Sequence, residues 1–136
     1  MKSLLLACVA TLAFAQSATV FKTHLATVAM DATMRATVAG SGSASASLLS
    51  AKLTITGKFE GLVTPATAAQ IRLSPVTGVR GPVIFEVPLD KAVSGTISGA
   101  VNLTPDQIEK LRKGCFYLQI NSEKAPDGNL WGWFLP

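Results

Sequence analysis

Three times between Leu53 and Leu89, apolar side chains recur at every second residue, and that period leaves few folds open. Leu53, Ile55 and Phe59 alternate with Thr54, Thr56, Lys58 and Glu60, with Gly57 in the inward slot between Ile55 and Phe59. Ala69, Ile71 and Leu73 alternate with Gln70 and Arg72. Val83, Phe85, Val87 and Leu89 alternate with Ile84, Glu86 and Pro88. A period of two sends successive side chains to opposite faces, so each run reads as a half-buried strand. The turns between them, Val63–Thr67 and Ser74–Pro82, carry Pro65, Pro75, Gly78, Gly81 and Pro82. Proline fixes its own backbone angle and lacks a ladder donor, and glycine admits turn conformations, so both stop strands. The expectation is antiparallel β architecture.

The flanks extend that pattern. Phe21 and Leu25 can share a face, with Lys22 and His24 opposite. Met30 to Val38 has no clean period and is left unassigned. From Ser41 to Leu49 serine alternates with Gly42, Ala44, Ala46 and Leu48, which suits a strand whose inner face packs closely against another sheet; a Gly/Ser linker is the competing reading. After a turn at Asp90–Val93, Ile97, Val101 and Leu103 alternate with Ser98 and Asn102, and Gly95 and Gly99 mark weak points. One helix is expected, over Pro105–Lys113. Thr104 is its N-cap, Pro105 opens it and Gln107 completes a capping box, while Gly114 ends it.

The first fifteen residues read as a secretory signal: Lys2, an apolar run from Leu4 to Phe14, and an Ala13-Phe14-Ala15 cleavage site before Gln16. The stretch Leu5-Leu6-Ala7-Cys8 resembles a lipobox. Lipidation is rejected because too little apolar sequence precedes Cys8 and the run continues through Phe14. The mature chain is then a single domain, Gln16–Pro136, with no membrane span, secreted or periplasmic. Its remaining cysteine, Cys115, has no partner for an intramolecular disulfide and reads as a small buried apolar residue. The formal charge of +4 falls by one with Lys2, and the cations are scattered without an aromatic-basic stripe, which argues against nucleic acid.

A family resemblance rests on ordered motifs. A strand ending in Gly61-Leu62, then TPATAAQIRL, then GVRGPVIFEV, resembles the CHRD (chordin-type) domain of secreted bacterial proteins, and so does the tail LTPDQIEKLRKGCFYLQINSEKAPDGNLWGWFL. In that tail the resemblance implies a short helix, a strand bearing Tyr117, a Pro-x-Gly turn and a last strand. The similarity covers Phe21 to Leu135. It implies an all-β, antiparallel, immunoglobulin-like Greek-key β-sandwich with one short helix before the penultimate strand. It implies little about activity, because such folds host unrelated functions.

No catalytic constellation is visible. The mature chain has one histidine, His24, with nothing to place it beside Cys115 or a serine, and there is no phosphate-cradling glycine loop. The family often carries histidines at the slots held here by Gln70, Arg72, Gln119 and Asn121, and the loss of imidazole ligands argues against a copper or zinc site. No cofactor is expected. Gln70 and Arg72 share one face and Tyr117, Gln119 and Asn121 another, where cross-strand hydrogen bonds on a solvated sheet are the favoured reading. In the closing strand Leu130, Gly132 and Phe134 face one way, and Trp131 and Trp133 the other. The family pattern has Arg and Gln at the tryptophan slots, which implies that the tryptophans lie outward, as a stacking platform for sugar rings or a partner protein or as a covered patch.

The expected function is a secreted, non-catalytic binding or structural module for an unidentified protein or glycan, with Trp131, Trp133, Gln70, Arg72, Tyr117, Gln119 and Asn121 as candidate binding residues. The alternatives are a periplasmic metal-handling protein and a hydrolase with an unrecognised carboxylate pair.

Overall fold

The structure is a computed structural model and describes residues 17–29 and 31–136. The expected signal segment, residues 1–15, lies outside the described residues, as does Met30. The remaining chain forms eight strands and one α-helix: β1 (Thr19–Thr27), β2 (Ser41–Leu49), β3 (Lys52–Glu60), β4 (Ala66–Leu73), β5 (Val83–Val87), β6 (Gly95–Asn102), α1 (Pro105–Arg112), β7 (Phe116–Ser122) and β8 (Ala125–Trp133). A single 3₁₀ turn, Met34–Ala36, interrupts the unassigned stretch between β1 and β2.

All strand pairs are antiparallel, in the order β5-β4-β7-β8-β1-β2-β3-β6. The strands therefore join in one continuous sheet, and the reason lies in β1. Its first part pairs with β2 from Thr19 to Leu25, and its end pairs with β8 at Ala26 and Thr27. The two edge strands then approach each other. Leu89 bridges Ile97, and the Ser98 N–H donates to the Pro88 carbonyl at 3.1 Å. The sheet is nearly a barrel.

The interior is filled by the period-two residues. Phe21, Leu25, Ala46, Leu53, Ile55, Phe59, Ala69, Ile71, Ile97, Leu118, Ile120, Leu130 and Phe134 are all buried in one cluster. Removing a methylene-rich side chain from such a site costs about 2–5 kcal/mol. The Ser41–Leu49 stretch is a strand, not a linker. Ala44, Ala46 and Leu48 point inward, where the strand pairs with a neighbour on each side. Gly57 is needed for the close approach, since a Cβ there would come within 2.7 Å of the Ser43 carbonyl oxygen.

Three details depart from the sequence expectation. Val83 is exposed although Val87 is buried, because the register slips between Ile71 and Arg72 and the inward phase is lost along β5. The turn expected to run through Thr67 ends earlier, with β4 beginning at Ala66 opposite Ser122. Pro126-Asp127-Gly128 lies inside β8 instead of forming a turn; Ser122 pairs with Ala125 and the hairpin closes over Glu123 and Lys124. Helix α1 has the expected N-terminus: the Thr104 hydroxyl accepts from the Gln107 N–H at 3.2 Å, and the Gln107 side chain accepts from the Thr104 N–H at 2.9 Å. Leu111 anchors it in the core, and Gly114 ends it with a positive φ of 75°.

Candidate functional site

The pairing register brings the seven candidate residues onto a single surface. Gln70 lies opposite Gln119 and Arg72 opposite Tyr117 across β4 and β7. Trp131 lies opposite Gln119 and Trp133 opposite Tyr117 across β7 and β8. Two side-chain rows therefore cross the same face: Gln70–Gln119–Trp131 and Arg72–Tyr117–Trp133. This corrects the reading that Gln70 and Arg72 occupy a different face from Tyr117, Gln119 and Asn121. Antiparallel partners project to the same side of a sheet, and only the register fixes which residues are partners.

Nor is this face solvated. Tyr117 is 0% exposed, Gln119 1% and Asn121 8%. Two connections cover it. The β4–β5 loop is tied down by the Tyr117 hydroxyl, which accepts from the Gly81 N–H at 2.9 Å and donates to the Gly81 carbonyl at 3.2 Å. Arg72 Nε donates to the same carbonyl at 2.7 Å, and its guanidinium also donates to Gln70 Oε1 at 2.9 Å. The loop runs so close to β4 that a Cβ on Gly81 would collide with the Leu73 carbonyl, so only glycine fits there. The β1–β2 connection forms the second cover, where Val28 and Val38 pack with Ala125, Met34 and Trp131 in a small apolar cluster.

The aromatic side chains form a compact group. Tyr117 stacks on Trp133 with centroids 4.6 Å apart, and the two indoles meet edge to face at 5.0 Å and 63°. The Arg80 guanidinium lies 4.7 Å from the Trp131 ring centroid and donates to the Asp127 carbonyl at 3.3 Å. Trp131 is thus capped by a cation and packed against the small cluster. The two indoles share the face opposite Leu130 and Phe134, yet their inclined planes do not make one flat platform. Beneath them Gln119 Nε2 donates to Asn121 Oδ1 at 2.8 Å and to the Asp127 carbonyl at 3.3 Å, and Asn129 Nδ2 donates to the Ser122 hydroxyl at 3.0 Å. Gln119 Oε1, Asn129 Oδ1 and Trp133 Nε1 are buried without a partner.

What stays open lies on the other side of Trp133. A groove of about 430 Å³ is lined by Trp133, Leu135, Lys22, Thr23, His24, Ser43, Ala44 and Ser45. Lys22 makes no ion pair: among the described residues the one ion pair is Glu109–Lys113, at 2.9 Å on the helix. Sequence reading passed over Lys22, His24, Ser43 and Ser45 as site residues. The signal was present in the serine alternation of β2, whose outward phase sits beside the outward phase of β1 once the two strands pair.

Among the described residues no group of three or more His, Cys, Asp or Glu side chains is placed to hold a metal ion. Cys115 is a buried free thiol. No described helix is long and apolar enough to cross a membrane.

The CHRD domain family model matches residues 21–133, nearly the whole chain, and the chain belongs to that family. Neither the curated proteins nor the solved structures gave a match.

Proposed function

We propose that this CHRD-domain chain is a non-catalytic binding module that works outside the cytoplasm and holds a glycan in the groove beside Trp133. The observation that carries the reading is the composition of that groove: an indole wall, a floor of serine hydroxyls, and Lys22 and His24 along one side. An indole covers the apolar C–H face of a sugar ring, and small hydroxyls donate to and accept from sugar hydroxyls without side-chain ordering of the kind lysine or glutamine would cost. Trp133 supplies the half-buried aromatic anchor, and its stack on the fully buried, hydrogen-bonded Tyr117 pre-orders it for binding. Trp131 belongs to the supporting layer, because Arg80 and the small apolar cluster already occupy its surroundings.

Export is part of the same reading and is supported by the Lys2, apolar-run and Ala-Phe-Ala pattern before Gln16. So is the immunoglobulin-like grouping. The halves β1-β2-β3-β6 and β5-β4-β7-β8 contribute jointly to one core, as two facing sheets would.

Retention of the mature chain on a panel of immobilised plant and microbial polysaccharides tests the proposal, with Trp133→Gln as the matched variant. Retention on at least one matrix, lost in the variant, is expected. A chain held by none of them, or a variant held as well as the wild type, contradicts the reading.

A further inference from the structure

We infer that the groove beside Trp133 is one end of a longer track across the outer face of β1, β2, β3 and β6, and that the track takes a carboxylate-bearing, uronic-acid glycan. This rests on the glycan reading above and adds the charge class and the path of the ligand.

The register defines the track. On one row Lys22 lies opposite Ser45, Ser45 opposite Thr56 and Thr56 opposite Ser98; on the next His24 lies opposite Ser43, Ser43 opposite Lys58 and Lys58 opposite Thr96. A second open depression, lined by Ser43, Ser45, Thr56, Lys58 and Thr96, shares the Ser43–Ser45 floor with the groove at Trp133. From β8 to β6 the track crosses four strand spacings of about 4.8 Å, roughly 19 Å in all. That is room for an extended oligomer lying across the strands.

Charge selects the class. Lys22 and Lys58 face the track with no carboxylate within ion-pairing distance, and His24 stands beside Trp133. The acids on this side sit at the margins. Glu60 is at the end of β3 opposite Ser41, and the Asp90 carboxylate is taken by the Thr96 N–H at 2.8 Å and hydroxyl at 3.1 Å. A hydroxyl-rich floor with unpaired cations suits a polymer that carries hydroxyls and carboxylates together. Nucleic acid fits poorly. Single strands are held by successive bases stacking on aromatic side chains, and only one indole borders the track.

Calorimetric titration of the mature chain with polygalacturonate, its uncharged methyl ester and polyuridylate tests the inference, using wild type and the Lys22→Met/Lys58→Met double variant. Both lysines are exposed, and the unfolding midpoint of the variant verifies its fold. Polygalacturonate should bind wild type and weaken with added salt. The ester, and the double variant with polygalacturonate, should each bind roughly tenfold more weakly, equivalent to about 1.4 kcal/mol. If the ester binds as tightly as the acid, the charge assignment fails while the glycan reading stands. If neither form binds, or polyuridylate binds more tightly than polygalacturonate, the uronic-acid assignment falls, and retention on the polysaccharide panel decides the glycan reading separately.

Discussion

Phe134 and Trp133 are neighbours on the chain with opposite surroundings, and truncating each should separate the fold from the site. Phe134 is 0% exposed and lies in the main core cluster, so Phe134→Ala removes a ring with no solvent to fill the space. The lost transfer energy and the residual cavity together should cost about 3–5 kcal/mol. Trp133 is half-buried and touches two aromatic partners, Tyr117 at 4.6 Å and Trp131 at 5.0 Å. Each such pair is worth about 0.5–1.5 kcal/mol beyond its area, so the two pairs lost in Trp133→Gln come to about 1–3 kcal/mol, and removing the unpartnered buried indole N–H offsets part of the area lost with the ring. Glutamine can stay solvated at the groove side, which limits the loss further. Urea unfolding followed by far-UV circular dichroism measures both, with an unchanged slope in each variant to show that the same surface is exposed on unfolding. A Trp133 variant less stable than the Phe134 variant would refute the assignment of Phe134 to the core and Trp133 to the groove wall, and Trp133→Gln could then no longer serve as a folded control for binding.

Tyr117→Phe should cost about 1–3 kcal/mol by leaving the partly buried Gly81 N–H without its acceptor, and hydrogen exchange at Gly81 should quicken more than in β2 or β3. The Glu109 carboxylate should titrate below its ordinary value because Lys113 donates to it, and Lys113→Met should move it back up; NMR titration reads both. A lowered carboxylate contributes stability above its ordinary pKa and loses it as the pH falls through the lowered value. The Lys113 ammonium, held above its ordinary value by Glu109, contributes below that value and loses its share as the pH rises through the raised one. Both groups are exposed, so stability should move little across either range. N-terminal sequencing of exported protein should begin at Gln16, and a lipid-bearing start at Cys8 would overturn that expectation.

Local pattern made the strands legible, and long-range register did not. The alternation of Leu53, Ile55 and Phe59, and of Ala44, Ala46 and Leu48, states which side of each strand is buried, since a period of two has one solution per strand. The capping box Thr104–Gln107 likewise carries its own geometry. By contrast, nothing local to Gln70 or Gln119 says that they stand opposite each other. That pairing depends on the bulge between Ala66 and Ala68 and on the distant β7. The cover over Tyr117 was hidden for a similar reason. A loop of Pro, Gly and Val residues looks like a solvated turn until hydrogen bonds joining Gly81 to Arg72 and to a tyrosine hydroxyl 36 residues later hold it on the sheet. The continuity of the sheet through β1 was also out of reach, since Phe21 and Leu25 would alternate in the same way in a strand with one partner.

The most direct test of a ligand in the groove is a ¹H–¹⁵N NMR titration of the mature chain with short oligogalacturonates. Amide shifts should concentrate at Lys22–His24, Ser43–Ser45 and Thr56–Lys58, together with the Trp133 indole N–H, while the Trp131 indole and the β4–β5 loop move little. Shifts centred instead on Trp131 and Arg80, or on the exposed edge of β5, would contradict binding in the groove.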